Sequence, residues 1–186
     1  MENKDSNNPL VSVVMATYNE PADIVRKSIQ SMMSQSYSHL ELIIADDSTE
    51  SETIGAIDSL AANDKRIYVI REKQRMGFVA ALNTALRHAK GALIARMDGD
   101  DVSLPDRINL QVGYSKSHPD VDLFGGAMYI IDTEDHIISE RNYPLTSWGI
   151  FLMFLYRSPF AHPTIMFRRS VIDNGYYYDP SYKKAE

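Results

Sequence analysis

The chain of 186 residues has no cysteine. That excludes a disulfide scaffold, a thiolate metal site and a cysteine nucleophile. Positive charge is in deficit: 19 Lys and Arg stand against 25 Asp and Glu, a formal net charge of −6. Such a chain has no bulk attraction for nucleic acid or anionic lipid, so either partner would need a local basic patch, and no nucleic-acid partner is expected. Long apolar runs are missing as well. The longest, Trp148–Tyr156, is interrupted at Gly149 and falls far short of the ~20 residues that span a bilayer. Residues 1–9 are polar and lack the apolar stretch of a signal peptide. No transmembrane segment is expected, and a cytoplasmic location is. Glycine-rich phosphate cradles are absent too. There is no G-x-x-x-x-G-K-[ST], and no G-x-G-x-x-G follows the first apolar run.

What is present is an ordinary soluble composition, 44% apolar and 24% charged. The length suits one domain over 1–186. Leu10–Ala16, Leu40–Ala45, Ile67–Ile70 and Ala92–Met97 are short apolar, largely β-branched runs and read as buried strands. Helical patterns separate them. One follows Pro21, with Ile24, Val25, Ile29, Met32 and Met33 at helical spacing. A second begins at Thr49-Glu50-Ser51-Glu52, which fits a capping box. A third covers Phe78–Ala89 and stops near Gly91. This β-α-β-α-β-α-β order predicts an α/β fold with a mostly parallel sheet and helices on both faces. Further on, Pro105–Ser117 reads as a helix and Val121–Ile131 as a strand. Ile137–Tyr143 reads as a strand, Ile150–Tyr156 as a short helix and Thr164–Arg168 as a strand.

Open parallel sheets bind ligands at the carboxyl ends of their strands. The polar clusters after the first, second and fourth strands therefore converge on one edge. Asp98-Gly99-Asp100-Asp101 crowds three carboxylates onto one turn. Either it holds a hard divalent cation, Mg²⁺ or Mn²⁺, or it is a solvated turn with helix-capping aspartates. Gly99 is expected to supply an unusual backbone angle. An EF-hand is excluded, because Val102 and Asn109 stand where oxygen ligands are required. Of Asp46-Asp47, one caps the next helix and the other is free to accept from a base or sugar. With no glycine-rich cradle, a bound diphosphate would need a metal and basic side chains. Arg71, Lys73, Arg75 and Arg96 are placed for it, Arg75 and Arg96 best. His162 reads either as an ordinary hydrogen-bonded residue or as a metal or sugar contact. Tyr176-Tyr177-Tyr178 reads as packing or as a stacking platform.

With these residues quoted, the chain resembles family 2 glycosyltransferases with the GT-A fold, particularly bacterial exopolysaccharide and O-antigen members. Val11 to Glu20 resembles their opening strand and loop, and Asp46-Asp47-Ser48 their nucleotide-reading turn. Gly77 to Asn83 resembles their third-helix entry. Arg96-Met97-Asp98-Gly99-Asp100-Asp101 resembles their D-x-D motif, followed by Pro105-Asp106-Arg107. His162-Pro163-Thr164 resembles a later segment. The resemblance covers essentially the whole chain. It implies a Rossmann-like α/β/α sandwich and a metal-dependent, inverting transfer from a nucleotide-sugar, most often a UDP-sugar. The acceptor would be a saccharide or a lipid-linked hydroxyl in cell-surface polysaccharide synthesis. Peripheral association with the inner membrane face is compatible with it. By the same resemblance, Thr17, Tyr18, Glu20, Asp46, Asp47, Arg75, Arg96 and Asp98 would contact the nucleotide. Asp98 and Asp100 would hold Mn²⁺ or Mg²⁺, and Asp101 and His162 would face sugar or acceptor. Glu186 matches the first member of the family's Glu-Asp pair, whose Asp is the base and would come next. The expectation is thus a domain cut short at its C-terminus, better at binding donor than at turnover.

The rivals are a non-catalytic donor-binding domain, a phosphoacceptor signalling domain and a nucleotidyltransferase. The last two are disfavoured by Thr17-Tyr18-Asn19 after the first strand. The signalling domain needs an acidic pair there, and the nucleotidyltransferase a glycine-rich, Arg-containing loop.

Overall fold

Four apolar runs form the parallel core of the sheet in a computed structural model that describes residues 8–181. They are β1 (Val11–Thr17), β2 (Leu40–Asp46), β3 (Ile67–Ile70) and β4 (Leu93–Asp98). Every residue of β1 and β2 is buried. That is why these strands read as continuous apolar runs rather than alternating ones. β1 pairs in parallel with both β2 and β4, and β2 with β3. Two further strands, β8 (Met166–Arg168) and β5 (Leu123–Phe124), complete the order β3-β2-β1-β4-β8-β5. β8 runs antiparallel to β4 and to β5.

The period of two sorts each strand between two cores. Val11, Val13, Met15, Leu42 and Ile44 face α1 (Ala22–Met33), α2 (Ser51–Asn63) and α4 (Arg107–Ser117), which bury Ile29, Ile57 and Ile108. Val14, Ile43 and Ile94 face α3 (Phe78–His88) and α6 (Ser170–Asp173), which bury Leu82, Leu86 and Ile172. Helices on both faces of a mostly parallel sheet are what the chain order implies.

The expected strand over 121–131 is two strands. β5 stays in the main sheet. β6 (Met128–Ile131) leaves it and pairs with β7 (Ile137–Arg141) in a separate hairpin. The break falls at Gly125-Gly126. A side chain on Gly125 would meet Phe160 and Thr164 at 3.2 Å, and Thr164 Oγ1 accepts from the Gly126 N–H at 3.0 Å. α5 begins earlier than expected, at Ser147–Phe154, where Thr146 accepts from the Gly149 N–H. The segment 164–168 opens in a 3₁₀ turn at His162–Thr164 before β8.

Three local readings are corrected. The α2 start is not a capping box, since Glu50 is its N-cap with no side-chain cap bond. Asn19 does that work instead: its Oδ1 accepts from the N–H groups of Thr49 and Glu50. Gly91 is no helix stop. A Cβ there would come within 2.5–2.8 Å of backbone atoms of Ser12, Leu10 and Leu93, so it marks close approach of chains. Gly99 has no positive φ. Its Cβ would press on Thr17 at 3.0 Å and on Glu20 at 3.2 Å, so its role is steric.

Candidate active site

The carboxyl ends of β1, β2 and β4 meet in one cavity of about 420 Å³. Thr17, Tyr18, Glu20, Asp47, Arg75, Arg96, Asp98, Asp100 and His162 all line it. Residues separated by more than a hundred positions are thereby joined. Asp46 and Asp101 are not among the residues that line it.

Asp46 is fully buried and committed to the protein. It accepts from Thr17 Oγ1 at 3.0 Å, from the Ser48 N–H at 2.9 Å and from Arg71 Nε at 2.7 Å. Burial would raise its pKa, but the bonds from Ser48, Arg71 and Thr17 together outweigh burial and lower it. Arg71 bridges Asp46 to Asp58, so it braces the sheet edge instead of facing ligand. Asp47 accepts from the N–H groups of Met76 and Gly77, at 3.0 and 2.6 Å. Gly77 has φ +76°, a conformation that favours glycine. The pair fixes the loop before α3, and the loop in turn holds the Arg75 guanidinium 3.6 Å from the centre of the Tyr18 ring. Tyr18 is exposed, so the stacked pair forms an open wall of the cavity.

Asp98 and Asp100 also line the cavity, and with Asp101 they have carboxylate oxygens within 4.8 Å of one another. All are hard oxygen donors, and the set fits a Mg²⁺- or Mn²⁺-sized cation. Glu20 faces them; burial above all, with Asp100 and Asp46 adding, raises its pKa despite hydrogen bonding to backbone N–H, including that of Tyr18 at 2.9 Å. Asp101 is pushed up to about 6, by burial first and then by Asp98 and Asp100. Like charge from neighbouring carboxylates thus adds to burial at both groups, and a cation would offset it.

The turn is held from beneath by one face of α1 and by Gln35 just past its end. Ser28 Oγ donates to the Asp98 carbonyl at 2.8 Å. Ser31 Oγ accepts from the Ser103 N–H at 2.9 Å. Gln35 donates to Ser103 Oγ and the Leu104 carbonyl and accepts from the Ile108 N–H. These three positions recur at helical spacing beside the apolar stripe of Val25, Ile29 and Met32. A buried polar stripe next to an apolar one was the available signal, and sequence reasoning missed it.

Arg96, 2% exposed, lies on the α3 face of the sheet. One Nη donates to Asp98, while Nε is buried without a hydrogen-bond partner. The guanidinium sits 5.5 Å from the Phe78 ring centre. Phe78 also meets the His162 ring edge-on, with centroids 6.4 Å apart. Its periodicity with Ala81, Leu82 and Ala85 reads as core, so nothing in sequence distinguishes it as a cavity residue. Arg107, desolvated and lowered to about 10, donates to the Arg96 carbonyl at 2.7 Å. His162 is lowered to about 4, by burial and then by Arg96, and is neutral at pH 7. Its Nε2 bonds the Tyr178 hydroxyl at 2.8 Å, and burial pushes that phenol up to about 12. Tyr178 is anchored by Asn83, which bonds both its N–H and its carbonyl. Tyr176 and Tyr177 are exposed. The expected Glu186 lies outside the described residues.

This architecture is the GT-A fold, and solved structures share it. S. aureus TarS in complex with UDP matches over 94% of this chain and 52% of its own, at TM-score 0.73 and 21% identity. The mannosyltransferase PcManGT from Pyrobaculum calidifontis, in complex with GDP-Man and Mn²⁺, matches over 92% and 48%, at TM-score 0.68 and 22% identity. In sequence, the Escherichia coli O-antigen biosynthesis glycosyltransferase WbnJ is 35% identical over 167 residues, 88% of this chain and 63% of that one. The chain spans between about half and two thirds of the length of WbnJ and of other curated relatives that match most of it. The family description "Glycosyl transferase family 2" matches residues 12–175. With nearly the whole described chain accounted for, its motifs in order and its fold shared, the chain belongs to glycosyl transferase family 2.

Proposed function

We propose that this chain binds a nucleoside-diphosphate sugar, a UDP-sugar in the first instance. The sugar passes to a hydroxyl of a saccharide or lipid-linked acceptor, with inversion, in cell-surface polysaccharide synthesis. The observation that carries the reading is the single cavity uniting Tyr18 and Asp47 with Asp98 and Asp100. An aromatic–guanidinium wall suits a flat base, and a carboxylate cluster suits a metal-bridged diphosphate. The UDP and the Mn²⁺ in the two related folds support the same division.

Asp98 and Asp100, with Asp101 beside them, would hold Mn²⁺ or Mg²⁺. When bound, the cation supplies Lewis-acid neutralisation of charge on the departing diphosphate. The rest falls to the chain. Tyr18 and Asp47 orient the base, and Arg75 closes over it. Arg96 places a buried positive charge, with an unused Nε–H, at the floor where diphosphate charge would lie. Attack by the acceptor hydroxyl on the face opposite the nucleotide inverts the anomeric carbon. The hydroxyl proton goes to a carboxylate base, for which the family resemblance implies an Asp next to Glu186 that is not among these residues. His162, neutral and tied to Tyr178, can accept or donate a hydrogen bond to the sugar without adding charge.

A thermal-shift panel of nucleotide sugars with and without Mn²⁺ tests this. Stabilisation by UDP-sugars that requires the metal is expected. Stabilisation by none of the panel, or by acetyl phosphate instead, contradicts it.

A further inference from the structure

β6 and β7 make a sheet of only two strands, and such a pair is marginal in water by itself. β6 alternates between half-buried and exposed residues. Every residue of β7 is exposed, Ile137 at 62% and Ile138 at 64%. One edge of β7 pairs with β6. The other has no strand beside it among the described residues, and an open strand edge is a template for pairing with another chain. The charges on this edge are available as well. Glu140 accepts from Asn142 Nδ2 at 2.9 Å. Among the described residues neither Glu140 nor Arg141 forms an ion pair.

The sequence of the edge names its occupant. Ile138-Ser139-Glu140-Arg141-Asn142-Tyr143 is complementary to itself read backwards. Laid antiparallel against a second copy with Glu140 opposite Arg141, it sets Ile138 opposite Tyr143 and Ser139 opposite Asn142. Each face of the joint then holds an apolar–aromatic pair, an ion pair and a polar pair, the cross-strand combinations that stabilise antiparallel sheets. A slip of one residue either way sets Glu140 opposite Glu140, or Arg141 opposite Arg141. Like charges directly opposite are destabilising, so the register is specified. Pro144, which has no N–H, ends the stretch. We propose that two copies of this chain join through β7, edge to edge and antiparallel, in a two-fold dimer. The two hairpins merge into one sheet of four strands. Glu140 to Tyr143 also line a second cavity of about 680 Å³, which shares His162 and Pro163 with the donor cavity. Pairing therefore brings Glu140 of the partner subunit against Arg141 beside that cavity.

Sedimentation equilibrium of the whole chain over a range of concentrations reads the association, and a monomer–dimer equilibrium is expected. Glu140→Arg alone, or Arg141→Glu alone, sets like charges opposite each other twice in each dimer. Either should weaken association by at least about tenfold. The exchange Glu140→Arg with Arg141→Glu restores opposite charges and should recover the parent's affinity to within about threefold. At concentrations where the parent is monomeric, all three should melt as it does, because both positions are exposed. Register is read separately. The chain has no cysteine of its own, and opposite residues of antiparallel strands stand within disulfide reach. Ile138→Cys with Tyr143→Cys should therefore cross-link into a covalent dimer on mild oxidation, and either cysteine alone should not. A chain that is monomeric at every concentration overturns the proposal. So does a dimer indifferent to the single charge reversals, or one that Phe151→Asp on the exposed α5 dissolves instead. No nucleotide is present in these measurements, so their outcome is separate from the donor reading.

Discussion

At the tips of β1, β2 and β4, polar groups are answered from neighbouring elements: Asn19 by Thr49 and Glu50, Asp47 by Met76 and Gly77, the Asp98 carbonyl by Ser28. Between Gly125 and Phe160 the balance is reversed. Every residue of β7 is exposed, and most of α5 is too. The first region is stiff because burial forces hydrogen bonds to be paired. A cavity that must position a charged ligand within a fraction of an ångström needs that stiffness. The second region leaves the apolar side chains of α5 exposed. One molecule therefore joins a half whose polar groups are paired to a half whose apolar groups are largely uncovered among the described residues.

The contrast can be broken in order of effect. Leu82→Ala, in the core beneath α3, should cost about 2–5 kcal/mol in urea unfolding. A loss below about 1 kcal/mol would mean the sheet face is not tightly packed. Gln35→Ala removes the brace under the acidic turn and strands buried groups of Ser103, Leu104 and Ile108. It should cost about 1–3 kcal/mol and weaken Mn²⁺-dependent nucleotide binding more than it lowers the melting temperature would explain. His162→Asn is a test by pH. The folded His162 resists protonation until about pH 4, while the unfolded residue takes a proton near its ordinary value of about 6.5. His162 therefore contributes stability above pH 6.5 that is lost as pH falls toward 4. Asp101, raised to about 6, works in the opposite direction, so the signal is the difference between parent and variant. That difference should shrink by about 1–2 kcal/mol across the window, allowing for solvent screening. A constant difference would contradict the buried, neutral imidazole. The smallest effect belongs to the open half: Leu155→Ser should change stability by no more than about 0.5 kcal/mol. A larger loss would show that α5 packs against this chain after all.

The parts legible in the sequence are those where one physical signal dominates. Strands buried on both faces read as unbroken apolar runs, so β1 to β4 are legible to within a residue or so, and their order sets the edge where Asp47 and Asp100 meet. Short strands carry no such signal. β5 and β6 look like one strand because the Gly125-Gly126 break is set by Phe160 and Thr164, far along the chain. Gly91 and Gly99 show a related limit. Glycine announces that a side chain is not tolerated, but not whether the reason is a backbone angle or a neighbour. Here both are neighbours. Asp46 and Asp47 are alike in sequence and differ in burial, and only packing assigns one to Thr17, Ser48 and Arg71 and the other to the loop before α3.

The account rests on the acidic turn binding a cation that bridges to a nucleotide diphosphate. Calorimetric titration of UDP into the parent chain and into Asp100→Asn, with and without Mn²⁺, tests that most directly. Asp100 is exposed and its loss should not disturb the fold. The account predicts binding to the parent that depends on Mn²⁺ and is abolished in the variant at unchanged melting temperature. Equal UDP affinity in all four titrations would contradict it.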